Sequence, residues 1–416
     1  IGWCDWSSDV CSSDLIITLQ TLNYRMYQNP DQKIVLHKGI YKYEATVGEA
    51  IFMITGMIIG AGVLGIPYVV AQSGLIPGLF YIAVLGTVMM LLNLMVGEIA
   101  IRTNQELQLP GFAGKYLGGW AKALMSFIII FSGYGVLLAY IIGEGEVLSA
   151  LFGGLPEFWS VLFWFFGSLV IWLGLGVLKK VQKYLSFIVI SIIIGLSFFL
   201  FKKFNVETLS YVNPANIFLP FGVVLFALHA TPAIVEAHAL LPGSQKHFKK
   251  AIIIGSLIPM VVYTLFVLAV VGMNGQSVTE VATVGLSRQF GPFFAFLVNI
   301  FAAIAMGTCF MGFGTALKQT LIWDHKINKY LADIAVILVP IIIFALGARS
   351  FIGVLEIVGG LFVSVESILL ILIYTAAKRK GDLPADRYGM KNYWIFIVPV
   401  FIVFSITAIY SVVKMF

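Results

Sequence analysis

His229, Glu236, Glu356 and the neighbouring Thr308 and Cys309 all lie inside long apolar runs, where an ionisable or hydroxyl side chain is costly and usually marks function. His229 can donate or accept a hydrogen bond toward a ligand, or change charge near neutral pH; the alternative is an imidazole satisfied by a neighbouring carbonyl. Glu236 and His238 follow it and can relay a proton or form a polar pair. Glu356 and Glu366 are ten residues apart on one run, hence on roughly the same side of a helix turning about 100° per residue, with Glu356 a candidate outer gate or proton site. Thr308 and Cys309, with the carbonyl of Ala305, can contribute to a cation site, although cysteine suits sodium poorly. The small residues around them also read as close helix packing. Glu49, Glu98, Glu144 and Glu146 fall at the ends of runs and read as interfacial.

A second kind of chemistry is carried by backbone. Gly60-Ala61-Gly62-Val63-Leu64-Gly65-Ile66-Pro67 interrupts a run of membrane length. Glycine loosens a helix and proline removes an internal hydrogen bond. Broken backbone at membrane depth is tolerated only when buried in protein or facing a polar cavity, and the amides at the start of a half-helix suit a carboxylate. A kinked or glycine-packed helix is the simpler reading of this stretch alone. The sixth run is irregular in the same way, with Asn213-Pro214, Leu219-Pro220-Phe221-Gly222 and Phe226-Ala227-Leu228-His229-Ala230-Thr231-Pro232. Interruptions at corresponding places in two halves of a membrane chain point to a transporter built from inverted repeats.

The elements that must hold these residues are apolar helices. Hydrophobic residues make up 60% of the 416 and charged residues only 11%, which excludes a soluble globular protein and indicates a polytopic, all-α one whose solvent is the lipid bilayer. Eleven segments are near the ~20 residues a bilayer requires: 47–73, 77–101, 121–150, 157–178, 182–201, 214–240, 251–273, 291–322, 330–347, 351–375 and 394–414. Their connections alternate in charge. Arg25, Lys33, Lys38 and Lys42, then Arg102, Lys115 and Lys122, then Lys179, Lys180 and Lys183, then Lys246, Lys249 and Lys250, then Lys318, Lys326 and Lys329, then Lys378, Arg379, Lys380, Arg387 and Lys391 all fall on one side. The other side holds Lys202, Lys203, Arg288, Arg349 and Lys414. The positive-inside rule then places the N-terminus inside and the C-terminus outside, in the cytoplasmic membrane. It also accounts for the net charge of +6 without a nucleic-acid partner.

Residues 1–15, with Cys4 and Cys11, resemble the conceptual translation of a sequencing-library adapter and carry no expectation of fold. Residues 16–45 read as a cytoplasmic polar segment without period, and 46–416 as the transporter domain. Within that domain, 46–201 is expected to form a first repeat, 214–375 a second, and 394–414 an eleventh helix. The loop 102–120 reads as a connector, with a gating lid as the alternative, and Ser277-Val278-Thr279-Glu280 as the cap of a short surface helix in the outer loop. The sequence holds no HExxH, G-x-S-x-G, GxxxxGK[ST] or metal-spaced Cys/His cluster, so no enzyme and no cofactor is expected.

Ile59-Gly60-Ala61-Gly62-Val63-Leu64-Gly65-Ile66-Pro67-Tyr68 resembles the IGAGILGLPY signature of the amino acid/auxin permease family, within the amino acid–polyamine–organocation superfamily. Leu225-Phe226-Ala227-Leu228-His229 and Pro232-Ala233-Ile234 resemble the sixth helix of its aromatic and hydroxy amino acid permeases. Ala139-Tyr140-Ile141 with Gly143 and Gly145, and Gly307-Thr308-Cys309-Phe310-Met311-Gly312, are similar to their third and eighth helices. The resemblance implies the leucine-transporter fold: a 5+5 inverted repeat with discontinuous helices 1 and 6, plus an eleventh helix, importing L-amino acids by alternating access. It implies a substrate carboxylate at Gly60, Ala61, Gly62 and Val63, and a substrate side chain facing Phe226 and His229, with Tyr134 or Tyr140 from the third helix. Where such proteins hold sodium, the ligands would fall on the carbonyls of Gly56, Ile59 and Ala305 and the side chains of Thr308 and Cys309. Cys309 departs there from the usual serine. Some proton-coupled relatives carry a fifth-helix lysine, for which Lys183 at the inner end is a poor match. The coupling ion, Na+ or H+, stays open at this point, with Glu236 and Glu356 the proton candidates beside His229. A non-transporting amino acid sensor of the same fold is the alternative.

Overall fold

The computed structural model describes residues 34–37, 40–43, 46–105, 107–173, 178–240, 245–323, 325–385, 388–390 and 394–415. The expectation for residues 1–15 lies outside them. In the segment expected to lack period, the backbone forms an antiparallel hairpin of β1 (Ile34–His37) and β2 (Ile40–Tyr43), with Ile34 opposite Tyr43 and His37 opposite Ile40. Everything else of regular structure is helical.

All eleven expected segments contain helix. The first is split into α1 (Val47–Ile58) and α2 (Gly62–Ser73), bent by 52° at the break. Then come α3 (Leu75–Arg102), the short α4 (Leu109–Leu117) within the 102–120 connection, α5 (Gly119–Phe152), α6 (Pro156–Leu173) and α7 (Leu178–Phe201). The sixth segment is split into α8 (Pro220–Leu228) and α9 (Thr231–Leu240), followed by α10 (Gln245–Asn274). A short α11 (Ala282–Ser287) precedes α12 (Pro292–Trp323) and α13 (Lys329–Ala345). The tenth segment runs α14 (Phe351–Ile357), a π-helical turn at Val358–Val363, and α15 (Ser364–Lys380); α16 (Trp394–Met415) is the eleventh. Among the described residues eight helical stretches are long and apolar enough to cross a membrane, and α1 with α2 makes a ninth. The two shorter ones are α13, of 17 residues, and α7, whose described apolar part is Phe187–Phe201.

Large apolar side chains are turned outward: Phe293 is 81% and Leu346 82% exposed. Lipid satisfies such a surface as water would not, so the interior is free to hold small residues and polar groups that let backbones approach. The broken spans sit in that interior. α10 packs on both α1 and α3, α2 packs on α8, and α8 packs on the π-helical turn.

Three further expectations change. α11 is buried throughout rather than lying on the surface. Thr279 accepts from the Gly285 amide at 2.9 Å, and Glu280 accepts from the Ile352 amide at 3.1 Å, at the start of α14 instead of capping its own loop. Glu98 and Glu144 are not interfacial, with 0% and 1% of their surface exposed. Lys318 belongs to α12, not to a connection, and forms a buried ion pair with Asp333 of α13. Glu49 does sit at a boundary: it closes a capping box with Thr46 at the start of α1.

Candidate functional site

Between Ile58 and Gly62 the chain leaves the helix and re-enters it within three residues, with Gly60 N–H bonding back to the Ile58 carbonyl at 3.0 Å. Helix geometry orphans the last carbonyls of one half and the first amides of the next. Tyr263 of α10 meets the first need. Its hydroxyl shares a proton between the carbonyl of Ile58 (2.7 Å) and that of Ala227 (3.2 Å), so one buried side chain ties the two broken spans together. The amides of Ala61 and Gly62 bond to no backbone carbonyl among the described residues. The Ala61 amide is taken up by the Tyr140 hydroxyl, which leaves that of Gly62 for a ligand.

Two glycines of the motif are explained by contact. A Cβ at Gly62 would sit 2.4 Å from that of Ala227, so only glycine lets α2 and α8 cross at this point. A Cβ at Gly60 would lie 2.8 Å from the Tyr140 hydroxyl and 3.1 Å from the Cys309 sulfur. Tyr140, Cys309 and the first break therefore form one buried cluster, with Cys309 Sγ 4.0 Å from the Ile59 carbonyl. The Thr308 hydroxyl donates to the carbonyls of Ile304 and Ala305 in its own helix, at 2.9 and 3.0 Å. Of the residues suggested for sodium, Cys309 lies beside the Ile59 carbonyl and its thiol bonds the Thr308 side chain, whose proton goes to carbonyls of α12. The side chain of Lys183 lies outside the described residues.

At the second break His229 has an extended backbone (φ −72°, ψ 125°) and Thr231 opens α9. His229 Nε2 is 2.8 Å from Thr231 Oγ1 and 3.1 Å from Oε1 of Glu366, and the Thr231 hydroxyl donates to that same carboxylate oxygen. A hydroxyl has one proton to give. With Glu366 ionised, Thr231 gives it to that carboxylate and the Nε2–H tautomer of His229 donates to both; the donor and acceptor roles follow the tautomer. Phe226 is half-buried beside Gly359 of the π-helical turn. Glu356 runs along α8, where a Cβ at Gly222 would meet its backbone at 2.7 Å. Tyr134 is nearly buried on α5, edge-on to Phe131. Glu236 is half-buried on α9, beyond Thr231.

Sequence reasoning missed Tyr263 and Thr231, and left Glu366 without a role. A tyrosine within an apolar helix reads as core until its partners are seen. Thr231, two residues past a histidine at a helix break, was the readable signal.

The sequence pattern of the tryptophan/tyrosine permease family matches residues 44–409. The chain belongs to that family. As a tryptophan/tyrosine permease family member it is 24% identical to glutamine transporter 2 of Aliivibrio fischeri over 353 residues, spanning 80% of this chain and 90% of the relative. It is 26% identical to the tyrosine-specific transport system 1 of Haemophilus influenzae over 370 residues, spanning 83% and 91%. The crystal structure of MhsT in complex with L-phenylalanine superposes with a TM-score of 0.64 at 15% identity, over 89% of this chain and 99% of that one. The fold is thus the leucine-transporter fold, with helices 1 and 6 discontinuous. The permease is a multi-pass membrane protein of a transporter family, not an enzyme.

Proposed function

We propose that the chain imports neutral L-amino acids, aromatic or hydroxylated ones among them, across the cytoplasmic membrane by alternating access coupled to H+ or Na+. The observation that carries this reading is the meeting of two broken spans at Gly62 and Ala227, with the Gly62 amide unclaimed by backbone. A half-helix start favours an anion, so the substrate carboxylate binds at Gly60, Ala61, Gly62 and Val63. The substrate side chain then faces Phe226 and His229, with Tyr134 and Tyr140 closing the third-helix side. Gly56, Ile59, Ala305, Thr308 and Cys309 are the residues for a sodium ion, and His229, Glu236 and Glu356 those for a proton. The alternation of lysine and arginine supports an inside N-terminus and an outside C-terminus. The interrupted spans support repeats over 46–201 and 214–375, with 394–414 as the added helix. The resemblance to the aromatic and hydroxy amino acid branch supports the substrate class. So do the names of relatives that take tyrosine and glutamine.

Uptake of labelled tyrosine, tryptophan, phenylalanine, serine and glutamine into proteoliposomes, under a proton or a sodium gradient imposed separately, tests the proposal. Uphill accumulation of at least one under one gradient is expected. Saturable binding without accumulation under either would replace the importer with an amino acid sensor.

A further inference from the structure

We propose that His229 and Glu366 are the proton-coupling pair of this transporter: one proton is held between imidazole and carboxylate while the site is closed, and it crosses with the amino acid. This deepens the transport reading above and rests on it.

The first argument is charge. Glu366 is 2% exposed, inside a membrane protein, and its partners among the described residues are His229 and Thr231, with no lysine or arginine. A buried carboxylate without a fixed cation is unfavourable. Adding one proton to the pair makes it neutral overall, either as imidazolium with carboxylate or as imidazole with carboxylic acid. Removing that proton leaves one net negative charge. Access to water on either side lets the proton enter or leave.

The second argument is position. His229 is the extended residue between α8 and α9, Thr231 is the first residue of α9, and Glu366 stands on α15. Any swing of α9 away from α15 breaks the two contacts to Glu366 together. Protonation thus biases the same element that must move for the site to open, which is what couples an ion to a conformation.

Other titratable groups on the packed elements are otherwise engaged or distant along their helices. Glu98, Arg102, Tyr374 and Lys378 bond to one another, Lys115 pairs with Asp382, and Tyr116 bonds to Thr103. Tyr263 and Tyr140 are held at the first break, Tyr410 stacks on Phe218, and Glu49 caps α1. Glu236 and His238 lie further along α9, and Lys246, His247, Lys249 and Lys250 stand in the first turns of α10. Lys122, Tyr134, Glu144 and Glu146 belong to α5, and Arg379 and Lys380 to the far end of α15; Val358–Val363 carries none.

The test uses the full chain in proteoliposomes with a pH-sensitive dye inside and a mixture of L-tyrosine, L-tryptophan and L-glutamine outside. Wild-type protein is expected to concentrate at least one of them, by up to about tenfold per pH unit of inward gradient for one proton, and to acidify the lumen as it does so. Glu366→Gln is expected to equilibrate the mixture without concentrating it, and to lose the dependence of exchange on pH. Glu144→Gln, at a carboxyl of α5 buried beside Gly307 of α12, is expected to concentrate as wild type does. The proposal is overturned if Glu366→Gln still concentrates the mixture, or if wild type concentrates it under a sodium gradient alone. Accumulation by wild type without luminal acidification overturns it too, whatever the variants do. Binding without any exchange by wild type overturns the transport reading itself.

Discussion

Glu98 and Glu366 are both carboxylates withdrawn from solvent, and they are held in opposite ways. Glu98 accepts from Arg102 Nε at 2.9 Å, Lys378 Nζ at 2.8 Å, the Tyr374 hydroxyl at 2.9 Å and the Met390 amide at 3.1 Å. Those donors come from α3, from α15 and from the segment before α16, so one carboxylate joins three parts of the basic side of the bundle. Glu366 has an imidazole and a hydroxyl, both at the hinge of the sixth span. A carboxylate facing two permanent cations gains nothing from a proton, and its loss leaves charge uncompensated. A carboxylate facing an imidazole can keep the same geometry with or without one. The first arrangement suits an anchor and the second a switch, although residue type and depth are alike.

The largest expected effect separates them by stability. Glu98→Ala strands Arg102 and Lys378, whose side chains are only 18% and 13% exposed. Breaking a buried pair in this way costs about 3–5 kcal/mol. A thermal melt in detergent should show a large drop, or little folded protein at all. Glu366→Gln leaves a histidine that can shed its charge and should melt much closer to wild type. Equal melting losses in the two variants would erase the distinction between anchor and switch.

Next in size is Tyr263→Phe, which moves the question to the hinge region. It keeps the ring and removes the one hydroxyl shared by the Ile58 and Ala227 carbonyls. Leaving buried acceptors unsatisfied costs about 1–3 kcal/mol. Hydrogen exchange followed by mass spectrometry should show faster exchange confined to peptides around 55–65 and 222–234. Unchanged exchange there would mean that packing, and not this hydroxyl, holds the two breaks.

Much of this was legible in the sequence. The eleven helical segments were, because a bilayer demands apolar length, and the two breaks were, because glycine and proline at depth need a reason. Gly60 and Gly62 could be singled out, but not what approaches them: Tyr140, Cys309 and Ala227 arrive from other spans. The π-helical turn at Val358–Val363 has no local signature. A Cβ at Gly359 would lie 1.9 Å from the Gly222 carbonyl, so tertiary contact with α8 shapes the backbone there. Glu98 and Glu144 were misread because position near the end of an apolar run was taken for exposure, whereas burial depends on which neighbour covers the end. For Glu98 the cover is Tyr374, Lys378 and Met390, nearly three hundred positions away in the chain.

The smallest expected effect lies at the rim of the Glu98 anchor and tests how far its character extends. Asp382 pairs with Lys115 and accepts from the Asn104 amide at 2.9 Å, bridging the end of α15 to α4 and the end of α3. The Lys115 ammonium, and after it the Asn104 amide, hold this carboxyl below the ordinary range. A carboxyl whose folded value is depressed adds stability that is fully present above its unfolded value of about 3.9, and that is lost as pH falls through the folded value. Asp382→Asn should therefore melt slightly below wild type near neutral pH, with the gap constant down to about pH 5 and closing below about 3.9. Because the pair faces water, added salt should shrink the gap at any pH. The loss from Glu98→Ala should resist salt, since its cations are covered. A gap at Asp382 that ignores salt would mean that the whole basic end, rim included, is as sealed as its centre.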